Sequence, residues 1–148
     1  MLFLSRRSLL AIAAVVDIAL HARPMPVAAK ALAARHSLPP RHLETILQAL
    51  VRQGILKGTR GPRGGYELAR ERRRVTAGEV VRAAMLTGDD SLPPLPRSKL
   101  VDTVVEPVVR RAASAFLSEL DGITIDDLCR DAEAQASADR TTPADFTI

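Results

Sequence analysis

Two clusters of side chains in this sequence have the types and spacing to grip a polyanion. Arg41, Thr45, Gln48 and Arg52 are spaced to share one face of a helix, with His42 and Glu44 on its flanks. Side chains of these kinds bond to base edges when their helix lies in a nucleic-acid groove. The second cluster is the run Arg60-Gly61-Pro62-Arg63-Gly64-Gly65-Tyr66. Its glycines and proline form a narrow tip from which Arg60 and Arg63 project, with Lys57 beside it. A cationic tip of that width suits the minor groove, where shape and negative potential are read. The glycine run lacks a Gly-Lys-Ser/Thr ending and opens no helix, which sets it apart from a nucleotide-binding loop. Catalysis finds no support: the basic half holds no nucleophile–base pair, no metal spacing and no paired carboxylates. Asp89-Asp90 and Asp126-Asp127 are adjacent pairs without distant partners, so no enzyme and no metal site are expected. Cys129 is the only cysteine, which excludes a disulfide scaffold, a cysteine-rich zinc site and a cluster held by several thiolates of one chain.

The elements that must position these groups can be read from periodicity. Leu43, Ile46, Leu47 and Leu50 form a buried stripe; Pro40 suits the first turn and Gly54 the stop, which predicts a helix over Pro40–Gln53. A helix is predicted before it, Val27–His36, ending at Ser37-Leu38-Pro39-Pro40 because Pro39 disfavours the α conformation at Leu38. The pair forms a helix-turn-helix pattern, or an ordinary helical hairpin. Ile55-Leu56 and Tyr66-Leu68 supply two short strands, and a β-hairpin after a helix-turn-helix is a wing. Arg70, Arg72, Arg73 and Arg74 then read as phosphate contacts or as a solvated loop. Thr76 and Glu79 have capping-box spacing at the start of another helix.

The N-terminal segment imitates an export signal, since Arg6-Arg7 precedes an apolar stretch. Asp17 interrupts that stretch, and the unbroken run Leu9 to Val16 is too short to span a bilayer. Leu9, Ile12, Ala13, Val16, Ala19 and Leu20 instead follow helical spacing, with Ser5 as cap. A folded amphipathic helix, a cytoplasmic location and no membrane partner are the expectation, with Arg6 and Arg7 available to DNA.

The chain has 148 residues, 47% of them apolar and only 3% aromatic, so its core must come from Leu, Val, Ile and Ala, which suits close-packed helices. Its net charge of +4 is divided unevenly. Residues 1–84 carry 15 basic and 5 acidic side chains; residues 85–148 carry 6 and 12. A basic front half points to a polyanion-binding module, or to a basic surface without consequence. Residues 87–98 read as a Pro-rich linker. A long helix follows over Lys99–Leu120, with Leu100, Val104, Val108, Ala112, Phe116 and Leu120 as its stripe and Pro107 as a bend. Such a stripe pairs with a second copy or folds back on its own winged domain. A short helix over Ile123–Arg130 and a frayed tail from Glu133 complete the chain.

Residues 5–84 resemble the Rrf2 family of winged-helix transcriptional regulators, through "HLETILQALVRQGILKGTRGPRGGYELA" and "VTAGEVVRA". The likeness continues more weakly through "AFLSELDGITIDDL". The resemblance implies that the helix is a base-reading element, with Arg41 and Glu44 at base-reading positions and Arg60 as minor-groove arginine. It further implies that the long helix pairs with its mate across a two-fold axis. Cluster-sensing members carry three closely spaced cysteines before that helix; Met85 to Lys99 holds none, so no cofactor is expected. The recognition helix also departs from the family, with Pro39 and His42 where Ser and Tyr are favoured.

The expected architecture is mainly α with a small β-hairpin. A winged helix-turn-helix domain (1–86) and a linker (87–98) precede a dimerisation helix with a short following helix (99–132) and a flexible tail (133–148). The expected function is that of a homodimeric repressor. Helix 40–53 would lie in the major groove of a palindromic operator on double-stranded DNA and wing 57–66 in the minor groove, through Arg41, His42, Glu44, Thr45, Gln48, Lys57, Arg60, Arg63, Arg6 and Arg7. The alternatives are a winged-helix protein-interaction module, or a regulator with a different iron–sulfur or thiol sensor. Cys129 reads as a redox switch or, beside Leu128, as a buried apolar residue. An effector would bind at the linker or between the long helices.

Overall fold

The computed structural model describes residues 4–87 and 98–141. Helix α1, Arg6–His21, is capped by Ser5, whose hydroxyl accepts from the Ser8 N–H. Its buried apolar side chains are Ala11, Ala14, Val15 and Ile18, with Ser8 and Asp17 also buried, whereas Leu9, Ile12, Ala13, Val16, Ala19 and Leu20 are only half-buried. The expected stripe was therefore off by part of a turn. From Leu9 to Leu20 every position but Asp17 is apolar, so periodicity alone cannot choose which side faces the centre.

Helix α2 covers Ala29–Arg35, shorter than the expected Val27–His36. Val27 instead pairs with Tyr66, donating to its carbonyl at 2.9 Å and accepting from its N–H at 2.8 Å. A β-branched residue after Pro26 suits that extended role. Helix α3 covers Pro40–Arg52, and α2 and α3 end in the same way. After α3, Gly54 is left-handed (φ 73°), and the N–H groups of Gly54 and Ile55 bond back to Val51 and Leu50. After α2 the left-handed residue is Ser37 (φ 52°), with Ser37 and Leu38 bonding back to Ala34 and Ala33. Both are Schellman closures. The helix-turn-helix bend is thus made by Ser37 as well as by Pro39.

Strands β1 (Leu56–Thr59) and β2 (Gly65–Leu68) pair antiparallel, Leu56 opposite Leu68 and Thr59 opposite Gly65. A 3₁₀ turn at Arg72–Arg74 leads to α4, Ala77–Met85, which opens on the expected capping box of Thr76 and Glu79. The long back helix begins with a π-helical turn, Val101–Val105, and continues as α5, Glu106–Asp121. The irregular turn lies directly before Pro107, as a residue lacking an N–H requires.

Helix α6, Ile125–Thr141, runs well past the expected stop at Arg130. The tail expected to fray from Glu133 is helical as far as Thr141, because the alternating alanines Ala134, Ala136 and Ala138 have high helix propensity. Thr124 and Asp127 cap α6 reciprocally, each backbone N–H donating to the other side chain. Ile125 and Cys129 join the core formed by Ile18, Leu32, Leu43, Leu47, Leu50, Ile55, Val75 and Val80. The winged unit therefore draws on residues far beyond position 86. Most of the linker expected at 87–98 and the last part of the tail lie outside the described residues.

Among the described residues, one charged side chain is buried against this core. Asp17, only 7% exposed, accepts from Arg35 Nε (2.9 Å) and Nη2 (2.5 Å) and from His36 Nε2 (2.9 Å). His21 Nδ1 lies 3.2 Å from the carboxylate and bonds the Asp17 carbonyl at 2.8 Å. Burial pushes the carboxyl pKa up, but the bonds from Arg35 and His36 and the charges of Arg35 and His21 outweigh it and hold it below the usual range. Asp17→Ala should destabilise the fold by about 2–3 kcal/mol in urea titration. This is less than for a fully enclosed pair, because Arg35 and His36 sit at the rim and can rehydrate. A depressed folded pKa contributes stability that is complete above the unfolded value of 3.8 and fades as pH falls through the folded value. Acid titration below pH 3.8 should therefore erode wild-type stability more than that of Asp17→Asn.

Candidate nucleic-acid interface

Helix α3 divides cleanly into two faces. Leu43, Ile46, Leu47, Ala49 and Leu50 are buried, while Arg41, His42, Glu44, Thr45, Gln48 and Arg52 are exposed. Among the described residues, the side chains of Arg41, His42, Glu44 and Gln48 make no ion pair or hydrogen bond, and Thr45 bonds only the Arg41 carbonyl of its own helix. All six residues expected on the recognition face and its flanks are therefore presented to solvent on a helix whose other side is fixed by the core.

The wing is held as tightly at its base as it is free at its tip. Leu56 is buried and Tyr66 and Leu68 pack against the core, while Lys57 and Glu67 face each other across the hairpin with 3.3 Å between their charged groups. Arg60 and Arg63 are exposed, and their side chains make no hydrogen bond or ion pair among the described residues. The Gly64-Gly65 pair has a stricter reason than turn flexibility. A Cβ on Gly64 would lie 2.2 Å from the Thr59 carbonyl oxygen, and one on Gly65 would lie 2.4 Å from that of Val27. Close backbone approach on both sides of β2 thus demands glycine at each position.

Other basic residues are committed elsewhere, and here several expectations need correction. Arg7 donates to the Thr87 carbonyl at the end of α4, so it is a tie between helices and not a free phosphate contact; Arg6 beside it is exposed. Arg70 bonds the Arg74 carbonyl and Glu79, and Arg72 pairs with Asp126 of α6 at 2.7 Å. Burial raises the Glu79 pKa, but the Thr76 N–H and Arg70 pull it below its ordinary value. Arg73 and Arg74 present their side chains to solvent. His36, at the end of α2, anchors Asp17. The signal that sequence reasoning passed over was Asp17 itself: a carboxylate inside an apolar helix must find partners, and Arg35-His36 stand at the end of the next helix.

Two further expectations can be placed. Cys129 is 0% exposed, and burial pushes its thiol pKa up, with Arg72 pulling the other way. That is the setting of a core residue, whereas a redox-sensing thiolate needs exposure and a lowered pKa. No group of three or more His, Cys, Asp or Glu among the described residues is placed to hold a metal ion. On the long helix, Leu100, Val104, Val108 and Ala112 are exposed, whereas Phe116 and Leu120 are half-buried. The far end of α5 is fixed to α4, with Arg82 bonding both oxygens of Asp121 at 2.5 and 2.8 Å. No helix among the described residues is long and apolar enough to cross a membrane.

Comparison with known proteins places this geometry in a family. Residues 4–131 match the Rrf2 family model, described as an iron-dependent transcriptional regulator. An HTH-type transcriptional regulator of Synechocystis is 34% identical over 140 residues, covering 91% of this chain and 92% of that protein. The structure of T. potens IscR superposes with a TM-score of 0.68 at 31% identity, over 89% of this chain and 90% of the other. CymR, the global cysteine regulator of B. subtilis, superposes with a TM-score of 0.66 at 25% identity, over 88% and 98%. The one cysteine is enclosed in the core, so a single chain offers no set of thiolates for an iron–sulfur cluster.

The glycine geometry yields a direct check. Gly65→Ala should push β2 away from Val27 and destabilise the protein by about 1–3 kcal/mol, the usual range for overpacking a tight contact. Faster hydrogen exchange at the Val27 and Tyr66 amides, both engaged in this bridge, would report it.

Proposed function

The chain belongs to the Rrf2 family of DNA-binding transcriptional regulators, and on that premise we propose that it is a homodimeric repressor that reads a palindromic operator. One observation carries the reading: the exposed row Arg41, His42, Glu44, Thr45 and Gln48 on α3, followed in sequence by a wing whose tip arginines are free. In this arrangement α3 lies in the major groove, with Arg41 able to bond a guanine in bidentate fashion and Glu44 able to accept from a cytosine amino group. Arg60 enters the minor groove, with Arg63 beside it. Arg6, Lys57, Arg73 and Arg74 take phosphates and set register and orientation. The basic half of the chain supports salt-dependent affinity, and the acidic back half stays clear of the duplex.

The dimer forms through the exposed apolar side chains of the long helix, since a palindromic site is matched by a two-fold protein. Phe116 and Leu120 serve mainly to seat that helix on its own winged unit, and Leu100, Val104, Val108 and Ala112 face the second copy. Repression needs only occupancy of the operator, which this interface provides. The protein acts in the cytoplasm without an iron–sulfur cluster and answers to an effector held by the dimer.

Selection of bound fragments from the source genome, followed by sequencing, should recover a few sites sharing an inverted repeat. On such a site, Arg41→Ala should lose about 1–3 kcal/mol of binding and relax the base preference at one position of each half-site. Arg60→Ala should weaken specific binding strongly. Affinity indifferent to salt, or unchanged in Arg60→Ala, would assign the winged unit to protein binding instead. Sedimentation should give a dimer for the wild type and a monomer for Val108→Glu, because a charge in the pairing face has no partner.

A further inference from the structure

Helix α2 is held by little apolar surface. Only Leu32 and Ala33 of its seven residues are buried, and no side chain caps its start. Apolar packing is non-directional, so two such contacts keep the helix in place without setting its rotation. The Asp17 cluster supplies the missing direction. Arg35 Nε and Nη2 bond separate carboxylate oxygens at 2.9 and 2.5 Å, and His36 Nε2 adds a third bond at 2.9 Å. A planar fork on a planar acceptor fixes orientation as well as distance. Both side chains are committed to Asp17, so their influence on DNA runs through the helix they hold.

Only Ser37 to Pro40 separate this end of α2 from Arg41. The connection is stiff. Ser37 is left-handed, the Leu38 N–H bonds the Ala33 carbonyl at 2.9 Å, and the rings of Pro39 and Pro40 fix their φ angles. A rotation of α2 is therefore passed to the start of α3, which carries Arg41, His42, Glu44 and Thr45. The buried stripe of α3 is anchored mainly further along, by Ile46, Leu47, Ala49 and Leu50, with Leu43 alone near the start. The wing follows the other end of α3 and has its own anchors, Leu56 in the core and Tyr66 bridged to Val27. We infer that, in the operator complex proposed above, on which this inference rests, Arg35 and His36 are positioning residues: through Asp17 they set the angle at which the start of α3 enters the major groove, and with it the base preference of Arg41 and Glu44. Base reading by the wing is independent of them.

Selection of bound sequences from a random duplex library tests this on the full chain, below the melting temperature of every protein used. Arg41→Ala marks the base positions that α3 reads, and Arg60→Ala those that the wing reads. The test variants are Arg35→Lys, which keeps the charge and loses the fork, His36→Ala, and His36→Gln, whose side-chain N–H reaches about as far as Nε2. The two side chains are 38% and 32% exposed, so these changes leave the core filled, unlike a change at Asp17. Arg35→Lys and His36→Ala should each lower the preference at the positions read by α3 by about fivefold or more, the low end of what one base contact supplies. Preference at the wing positions should stay at the wild-type value, and His36→Gln should restore the preference that His36→Ala loses. A loss shared equally by both sets of positions overturns the inference, since a merely structural role does not single out one of them. Wild-type preference in either Arg35→Lys or His36→Ala also overturns it, as does a His36→Gln no better than His36→Ala. A wild type that selects no sequence overturns the operator reading itself, and the inference with it.

Discussion

A carboxylate enclosed among aliphatic side chains stays ionised only if cations and N–H donors come to it. Asp17 meets that requirement with the last residue of α2 and the residue that ends it, Arg35 and His36. The bonds do more than neutralise a charge. They fix the end of α2 against α1, and the chain leaves that end through a single left-handed residue, Ser37, into α3. The direction in which Arg41 to Gln48 face solvent therefore rests on an ion cluster on the opposite side of the turn. Aliphatic packing would hold the helices together without selecting one orientation so sharply, since bidentate guanidinium–carboxylate geometry is directional.

The excess of basic residues in the front half is divided between two tasks. Arg7, Arg35, Arg70, Arg72 and Arg82 each bond a carbonyl or carboxylate within the chain. Arg41, Arg60 and Arg63 have no such bond among the described residues, and Arg6, Arg73 and Arg74 present exposed side chains. Arg35, Arg70, Arg72 and Arg82 are offset by carboxylates and add least to the field that a phosphate backbone meets. The committed set ties α1 to α4 through Arg7, the approach to α4 to its cap through Arg70, and α4 to α5 through Arg82. A net charge read from sequence thus overstates the polyanion-binding surface, although the free groups, Arg6 of α1 apart, still fall on the recognition helix, the wing and the turn after it.

Much of this was legible in the sequence where local rules act without competition. The stripe of α3, the stop at Gly54, the Thr76 cap and the hairpin each depend on residues within a few positions of one another. The misreadings came where distant partners decide. Val27 left its helix for Tyr66, α1 turned a different face inward, and Arg7, Arg70 and Arg72 were claimed by groups far along the chain or in another element. Asp17 was visible as an anomaly but its partners were not, because nothing in the α1 sequence says which helix end will lie against it. Helix α6 was cut short because polarity was weighed above the alanine content that sustains it.

The corner between α5 and α6 connects the two halves of the molecule. Arg82 joins α4 to Asp121, the last residue of α5. Beside it the backbone of Ala77 bonds to Ile123, and that of Ile125 bonds to Val75. Arg72, in the turn just after the wing, joins Asp126 in the first turn of α6. The path from the long helix to the base of the wing is therefore short and made of directional bonds, whereas the other end of that helix projects with its aliphatic side chains uncovered. In the proposed dimer, any change in how the two long helices cross would reach the wings through this corner. An effector that differs in affinity for two such crossings would act on operator spacing without touching DNA.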